Sequence, residues 1–496
     1  MLPQNKKDSE LILGLISTVG TDVDGVIKNI EDQLRVFRYE TEIINVSGEI
    51  ISQFETEPDK QWASEFERVG HYMNLGNRIR QETNDNSILM KGVARRIYTQ
   101  RPGADQNDAQ PRPRVAYIVK SIKHPEEVEF MRGAYGDGFH LIGVTSSYER
   151  RLMLLTERKR MTKEEAEELL ARDEHEDMAQ GQRTRDAFQH ADYFISVTKD
   201  ADQTYYSVER LMDLLFGDPY ISPTFDEYAM FMAYASSLRS ADLSRQIGAV
   251  VAKNNEILAT GANDCPKFGG GLYWPVLNKY GKYADTEKGR DHMIGYDSNK
   301  IEQDRIIRSL LSAFGQEDSP ENIKKAKESG IGDLTEYGRV VHGEMEALLA
   351  CARNHISCKG ASLYVTTFPC HNCAKHIIAA GITRVIYIEP YPKSKAFTFY
   401  PAEISDAEEN EEKVVFTHFT GVGPQRFIDL FAMSSLRWYA KKRKDESGRK
   451  LEWKKEKAEL RNTPALLTYL DAERAALVSF EEETNVLTKG EKQHEQ

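Results

Sequence analysis

Five short apolar runs rich in β-branched residues recur through the first two hundred positions: ELILGLIS (10–17), ETEIINVS (40–47), RVAYIVKSI (114–122), FHLIGVTSS (139–147) and DYFISVT (192–198). Between them lie longer stretches of helical spacing, such as Trp62 to Gln81 and Tyr148 to Met161. Strand-length runs alternating with helix-length ones are the habit of βαβ units, whose parallel strands are buried on both faces and so read as continuous apolar segments. The pattern predicts an α/β domain over residues 1–218.

At GDPYISPT (217–224) Gly and Pro concentrate, helix propensity falls and a domain boundary is expected. Beyond it, DEYAMFMAYASSLRS (226–240) predicts a helix, and IGAVVA (247–252) and EILATGA (256–262) flank the polar KNN as a hairpin. A Gly- and charge-rich insertion covers about 264–337, followed by a helix from Gly343, a strand ASLYVTT, a helix from His371 and a strand TRVIYIE. This second α/β domain is expected over 219–440, and the highly charged residues 441–496 as a tail of surface helices. The fold class is therefore α/β, with two three-layer αβα domains.

Composition narrows the picture. A chain of 496 residues exceeds a single ordinary core, and its 40% hydrophobic and 29% charged content is that of a folded surface and interior. No run approaches the roughly 18 apolar residues of a membrane span, and MLPQNKKDSE lacks the apolar centre of a secretory signal, so no membrane partner and a cytoplasmic address are expected. The net charge of −12 gives no general attraction to nucleic acid. Five cysteines, at 265, 351, 358, 370 and 373, form no disulfide framework, which leaves reduced thiols or a metal.

Two of them sit in Pro369-Cys370-His371-Asn372-Cys373, where a strand gives way to a helix, and His342-Gly343-Glu344 opens an earlier helix. Cysteines three apart at a helix N-terminus point the same way and are favoured as thiolates there. Alone, such a pair also fits a structural zinc half-site, a redox dithiol or two buried thiols. A structural site needs four protein ligands, and a redox motif leaves the upstream HxE unexplained. Together the pieces form the zinc-deaminase signature, in which one His and two Cys bind Zn²⁺ and a nearby Glu moves protons without binding the metal. His342, Cys370 and Cys373 are the expected ligands and Glu344 the catalytic acid–base; three ligands leave the open position of a catalytic zinc. His371 and His376 are read as helix-surface residues, and a second metal site at Cys265 and His292 is a weaker possibility than simple packing.

From Asp226 to about Phe431 the segments SADLSRQIGAVVAKNNEILATGAND, VVHGEMEALLACA and LYVTTFPCHNCAKHIIAAGITRVIYIEPYPKS resemble the deoxycytidylate deaminase branch of the cytidine deaminase superfamily. The resemblance implies a cytidine deaminase-like fold, with Asn263 on the sugar and Thr366, Tyr391 and Ser394 lining a nucleotide pocket. The N-terminal domain resembles a P-loop nucleotide or dephospho-coenzyme-A kinase, from Gly14-Leu15-Ile16-Ser17-Thr18-Val19-Gly20 and HPEEVEFMRGAYGDGFHLIGVTSSYERRL. A working loop of that kind needs Lys followed by Ser or Thr, and here Val23 and Asp24 stand in those places. Phosphoryl transfer is not expected, but Gly14, Ser17, Gly20 and Thr21 remain candidates for binding a nucleotide phosphate through backbone amides.

A degenerate kinase-like domain fused to a deoxycytidylate deaminase domain resembles the bacterial anti-phage deoxycytidylate deaminases. That implies conversion of dCTP and dCMP to dUTP and dUMP, depletion of deoxycytidine nucleotides during infection, an oligomer of identical chains and, for some members, an inhibitory partner RNA. The rival readings are a polynucleotide cytosine deaminase, which the basic tracts RRLMLLTERKR (150–160) and YAKKRK (439–444) keep open, and a nucleotide-sensing or RNA-binding regulatory module.

Overall fold

The computed structural model describes residues 8–56, 61–106, 108–175, 183–391, 393–407, 410, 412–435 and 439–494. The chain divides into two compact α/β units, one made of Met1–Glu227 with Thr420–Gln496 and the other of Tyr228–Phe419.

In the first unit the five apolar runs are strands: β1 (Leu11–Ser17), β2 (Glu40–Asn45), β3 (Val115–Lys120), β4 (Phe139–Thr145) and β5 (Tyr193–Ser196). They lie in the order β2-β3-β1-β4-β5, all parallel, and a two-residue strand at Gly421–Val422 adds antiparallel to β5. Leu11, Ile12, Leu13, Leu15 and Ile16 of β1 are all buried, as a central strand covered on both faces requires. Helix α1 (Val23–Val36) follows β1, and its buried Val23, Val26, Ile27, Ile30 and Leu34 fall on one helical face. The expected helix at 148–161 is α-helical only over Tyr148–Met153 and continues as a wider turn over Leu154–Arg158.

The second domain was expected to run to 440, with a charged tail beyond; instead the chain re-enters the first unit at Thr420. Leu430, Ala458 and Leu460 join the same buried cluster as Leu11 and Leu13. The C-terminal helix Leu466–His494 is likewise not a surface appendage, since Tyr469, Ala476 and Phe480 are buried. Its Glu473 is buried too, and is tolerated because Arg101 donates to both its oxygens, at 2.6 and 2.8 Å, and to Glu10 at 2.7 Å.

In the second unit β6 (Gly248–Lys253) and β7 (Glu256–Ala262) form the expected hairpin. Its two loop residues, Asn254 and Asn255, both take positive φ (53° and 59°), the backbone of a tight hairpin turn that asparagine tolerates. With β8 (Ser362–Thr367), β9 (Arg384–Glu389), β10 (Ile404–Ser405) and β11 (Val414–His418) the sheet order is β10-β11-β9-β8-β6-β7. β8, β9, β10 and β11 run parallel, and β6 is antiparallel to β8. The insertion holds a small hairpin, Val276–Leu277 with Tyr283–Ala284, and the helices Ser298–Ala313 and Pro320–Glu328.

One glycine decides how closely the next helix approaches this sheet. A side chain at Gly261 in β7 would lie 2.1 Å from the carbonyl oxygen of Gly343 and 2.4 Å from the backbone nitrogen of Ala347. Only a bare backbone lets the helix that begins at Gly343 rest there.

Candidate metal centre and active site

Two helices present the expected ligands. In α2 (Gly343–Arg353) the N-cap is His342, and in α3 (His371–Ala379) it is Cys370, each with extended backbone. Both ligands therefore sit at the positive ends of helices, one turn from groups that stabilise thiolates and carboxylates. Cys373 lies in the first turn of α3 and is buried.

Nδ1 of His342 is 3.4 Å from Sγ of Cys370 and 3.3 Å from Sγ of Cys373. Ligand atoms of these three residues lie within 4.8 Å of one another, the only such group of metal-binding side chains among the described residues. Hydrogen bonding from Cys373, and then from His342, pulls the Cys370 thiol down to about 4, while Cys373, which shares its proton with Cys370, is pushed well above the usual thiol range. The His342 imidazole is pushed up to about 9, first by its hydrogen bond with Cys370. Two thiols and an imidazole that already compete for protons are donors that a divalent cation binds with release of those protons.

Glu344 stands beside it, buried, and burial pushes its carboxyl up to about 7. Its Oε2 has no hydrogen-bond partner. An orphaned carboxylate oxygen next to one nitrogen and two sulfur donors fits a borderline cation of the zinc class with one coordination position left for a small molecule.

The other expected residues are spread differently. Asn263 is buried, its Oδ1 accepting from the Ile247 N–H at 2.7 Å and its Nδ2 donating to the Arg245 carbonyl at 2.8 Å. It therefore clamps the turn that leads into β6, and one amide hydrogen is left for anything else. Ser394 donates to the carbonyl of Pro369 at 2.8 Å and so fixes the residue before Cys370. Thr366 accepts from the Gly248 N–H at 3.2 Å, and Tyr391 packs half-buried against the core of the unit.

Arg245 escaped the sequence reading. Its guanidinium, half exposed, lies 2.9 Å from Glu389 and 5.9 Å from the centre of the Tyr391 ring. A charged residue three positions before the first hairpin strand was its only signal, and such residues are usually solvated.

Cys265 and His292 do not come together as a second metal site. The Cys265 thiol donates to Asp291 at 3.4 Å, and the His292 ring pairs with Asp285 at 3.1 Å. The acids that could have completed a site are taken by arginines: Asp264 and Asp285 by Arg290, and Asp291 by Arg339.

In the first unit Ser17, Gly20 and Thr21 line a cavity of about 510 Å³ beside the start of α1, distinct from the cysteine cluster. Gly14 does not. It lies inside β1, where a side chain would press on Ile122 at 2.5 Å and Phe139 at 2.8 Å, so its role is close packing of the sheet rather than a loop turn.

Residues 223–389 match the cytidine and deoxycytidylate deaminase zinc-binding region. The deoxycytidylate deaminase of Enterobacteria phage T4 is 30% identical over 171 residues, 33% of this chain and 77% of that protein. That of phage T2 is 33% identical over 166 residues, covering 33% and 79%. The crystal structure of dCMP deaminase from the cyanophage S-TIM5 in complex with dCMP and dUMP is similar over 40% of this chain and 100% of that one, at 21% identity and a TM-score of 0.23.

Proposed function

This chain belongs to the cytidine and deoxycytidylate deaminase family, hydrolases that remove the amino group of cytosine nucleotides, and from that premise we propose that it acts on free dCMP and dCTP. The products are dUMP or dUTP and ammonia. The observation that carries the reading is the convergence of His342, Cys370 and Cys373 beside the unpartnered Oε2 of Glu344.

His342, Cys370 and Cys373 would hold Zn²⁺, which when bound supplies a Lewis acid and makes water acidic enough to attack near neutral pH. The rest is proton traffic by this chain. Glu344 accepts a proton from the attacking water as its oxygen adds to C4 of the cytosine ring, and delivers it to ring N3. A second proton goes through the same carboxylate to the exocyclic amino group. The C4–N bond then breaks, ammonia leaves and the C4 carbonyl of uracil remains, so one water is consumed for each ammonia released.

The remaining amide hydrogen of Asn263, the Thr366 hydroxyl and the Tyr391 ring are the proposed nucleotide contacts, with Ser394 holding the Pro369 turn and Arg245 offering an exposed cation to the 5′-phosphate. Ser17, Gly20 and Thr21 of the first unit are proposed to retain phosphate binding without transfer, since no lysine follows them in the loop. Depletion of deoxycytidine nucleotides in phage-infected cells, assembly of identical chains and an inhibitory RNA belong to the same proposal, through the resemblance of its two-domain organisation.

A polynucleotide substrate is less well supported, because three of the five basic residues in the tract at 150–160 have partners or burial within their own unit. Arg151 is buried, Arg158 pairs with Asp22 and Lys159 with Glu65. The test is ammonia release from dCMP, dCTP, cytidine and a cytosine-containing oligonucleotide, with Glu344→Gln in parallel. Turnover of the two deoxynucleotides that vanishes in the variant is expected; turnover of the oligonucleotide alone sinks the proposal.

A further inference from the structure

The cavity in the first unit opens at the carboxyl ends of β1, β2 and β3, where Ser17, Asn45 and Lys120 line it, the usual place for a ligand on a parallel sheet. Its charged lining comprises Arg68, Arg80, Lys120, Lys123, Arg158 and Lys159 against Asp22, Asp24 and Glu65. The lining itself is therefore more basic than acidic in a chain of net charge −12, although Arg80 pairs with buried Glu127 at 2.7 Å and Lys123 faces Asp173, both just outside it. Deeper in, Val69, Met73, Leu154, Leu155 and Met161 supply an apolar wall. A cavity of this size and polarity suits a small molecule with an anionic head and an apolar body.

The cations and the loop amide around this cavity are already engaged by carboxylates of the chain itself, Asp22 and Asp24 within the lining and Asp173 outside it. Asp22 caps α1, accepting from the Gly25 N–H at 3.2 Å, and pairs with Arg158 at 2.9 Å. Asp24 pairs with Lys120. Inside the loop, the Val19 N–H donates to Oδ2 of Asp173 at 2.8 Å, across 154 residues of sequence. Asp173 comes from helix Lys163–His175, and its side chain is fully buried. Its Oδ1 makes no hydrogen bond and lies 3.7 Å from Nζ of Lys123, which itself donates to the Ser17 carbonyl at 2.7 Å. A buried carboxylate with one hydrogen bond and one loosely held cation is poorly compensated, whereas a phosphate with more oxygens could engage the loop amide and Lys123 together.

We propose that Asp173, outside the lining of this cavity, is a built-in anion that holds the loop amide and the Lys123 ammonium a phosphate would engage, and that a phosphorylated ligand binds by displacing it, which makes the helix Lys163–His175 a ligand-operated gate. This rests on reading the Ser17–Thr21 loop as a phosphate cradle. Lys123, delivered from the segment after β3, takes the charge-neutralising role for which the loop has no lysine of its own. A ligand that displaces Asp173 must move the helix that carries it, so occupancy of the cavity is read out in that helix.

Inorganic pyrophosphate and AMP, which offer no cytosine ring, are titrated calorimetrically into the full-length protein, its Asp173→Asn variant and its Lys123→Ala variant. Asp173→Asn keeps the side-chain shape without the charge and is expected to bind pyrophosphate at least about tenfold more tightly than wild type, as expected if roughly 1.4 kcal/mol of competition is removed. Lys123→Ala is expected to lose binding. If wild type binds and Asp173→Asn binds no better, the gate is wrong and the cradle stands; if neither binds, both are wrong. Should the variants fail to fold, hydrogen exchange on wild type decides: saturating pyrophosphate should accelerate exchange of the 163–175 amides, and unchanged exchange at saturation overturns the gate.

Discussion

Two strand-to-helix junctions, one in each unit, begin from the same physics and end differently. Both place backbone N–H groups and a positive helix end at the exit of a buried strand. After β1, Asp22 caps the helix and Asp173 accepts from the Val19 N–H, so the field is answered by the chain's own carboxylates. After β8, Cys370 makes no side-chain cap to its helix, nor does His342 at the start of the neighbouring helix Gly343–Arg353, and imidazole, thiols and the Glu344 carboxylate are left facing one another. A helix N-terminus becomes reactive only where its potential is left unspent on local capping.

The contrast breaks or sharpens most at the cysteines. Cys373→Ala should lose both turnover and bound zinc, measured by metal analysis of the purified protein. Glu344→Gln should lower turnover by about 10² to 10⁴ while zinc content is unchanged. Equal zinc loss in both would make Glu344 a ligand and remove it from proton transfer.

Next in size are the two glycines that let each unit close-pack. At Gly261 an added methyl meets the backbone of α2, which has no rotamer to yield, and Gly261→Ala should destabilise the second unit by about 3 kcal/mol or more and reduce turnover with it. At Gly14 the obstacles are the Ile122 methyl and the Phe139 ring edge, which can shift, so Gly14→Ala should cost about 1–2 kcal/mol. Denaturant melts compare the two; a larger loss at Gly14 would reverse the ranking of backbone over side-chain obstruction.

The smallest effect is one of pH. Burial, with Arg426 adding to it, lowers His140 of the first unit to about 3. Its unfolded value is near 6.5, so between those limits the unfolded chain binds the extra proton, and stability falls as pH drops through the window. The limiting slope for one proton is about 1.4 kcal/mol per pH unit. Asp192, held down by Arg426 and Arg132 against its burial, works in the same direction below its ordinary value. His140→Gln should flatten the dependence between about pH 6 and 4, followed by thermal melting.

Much of this was legible in the chain. β1, β3, β4 and β5 announce themselves because strands buried on both faces are apolar throughout, whereas β2, at the sheet edge, buries only Ile44; Asn254-Asn255 announces a tight turn because few residues accept positive φ twice. The histidine–cysteine cluster is legible because its spacing is set by two helix starts. What stayed hidden depends on partners far away in sequence. The re-entry at Gly421–Val422 is a two-residue strand with no period to read. The C-terminal helix hides its buried Tyr469, Ala476 and Phe480 among charges, and its buried Glu473 looks like surface until Arg101 is placed beside it. Asn263 and Ser394 were read as facing a nucleotide, and their neighbours in space show them bound first to backbone.

The return of the chain to the first unit orders events during synthesis. The catalytic unit, residues 228–419, is complete before Val422, Leu430 and Leu460 of the first unit's core have been made. At about 5–20 residues per second, roughly 10 to 40 s separate emergence of the first unit's opening segment from arrival of its closing one. Throughout that interval β5 carries an unpaired edge and the sheet lacks part of its cover, so the whole deaminase unit is synthesised while the first unit is still unfinished.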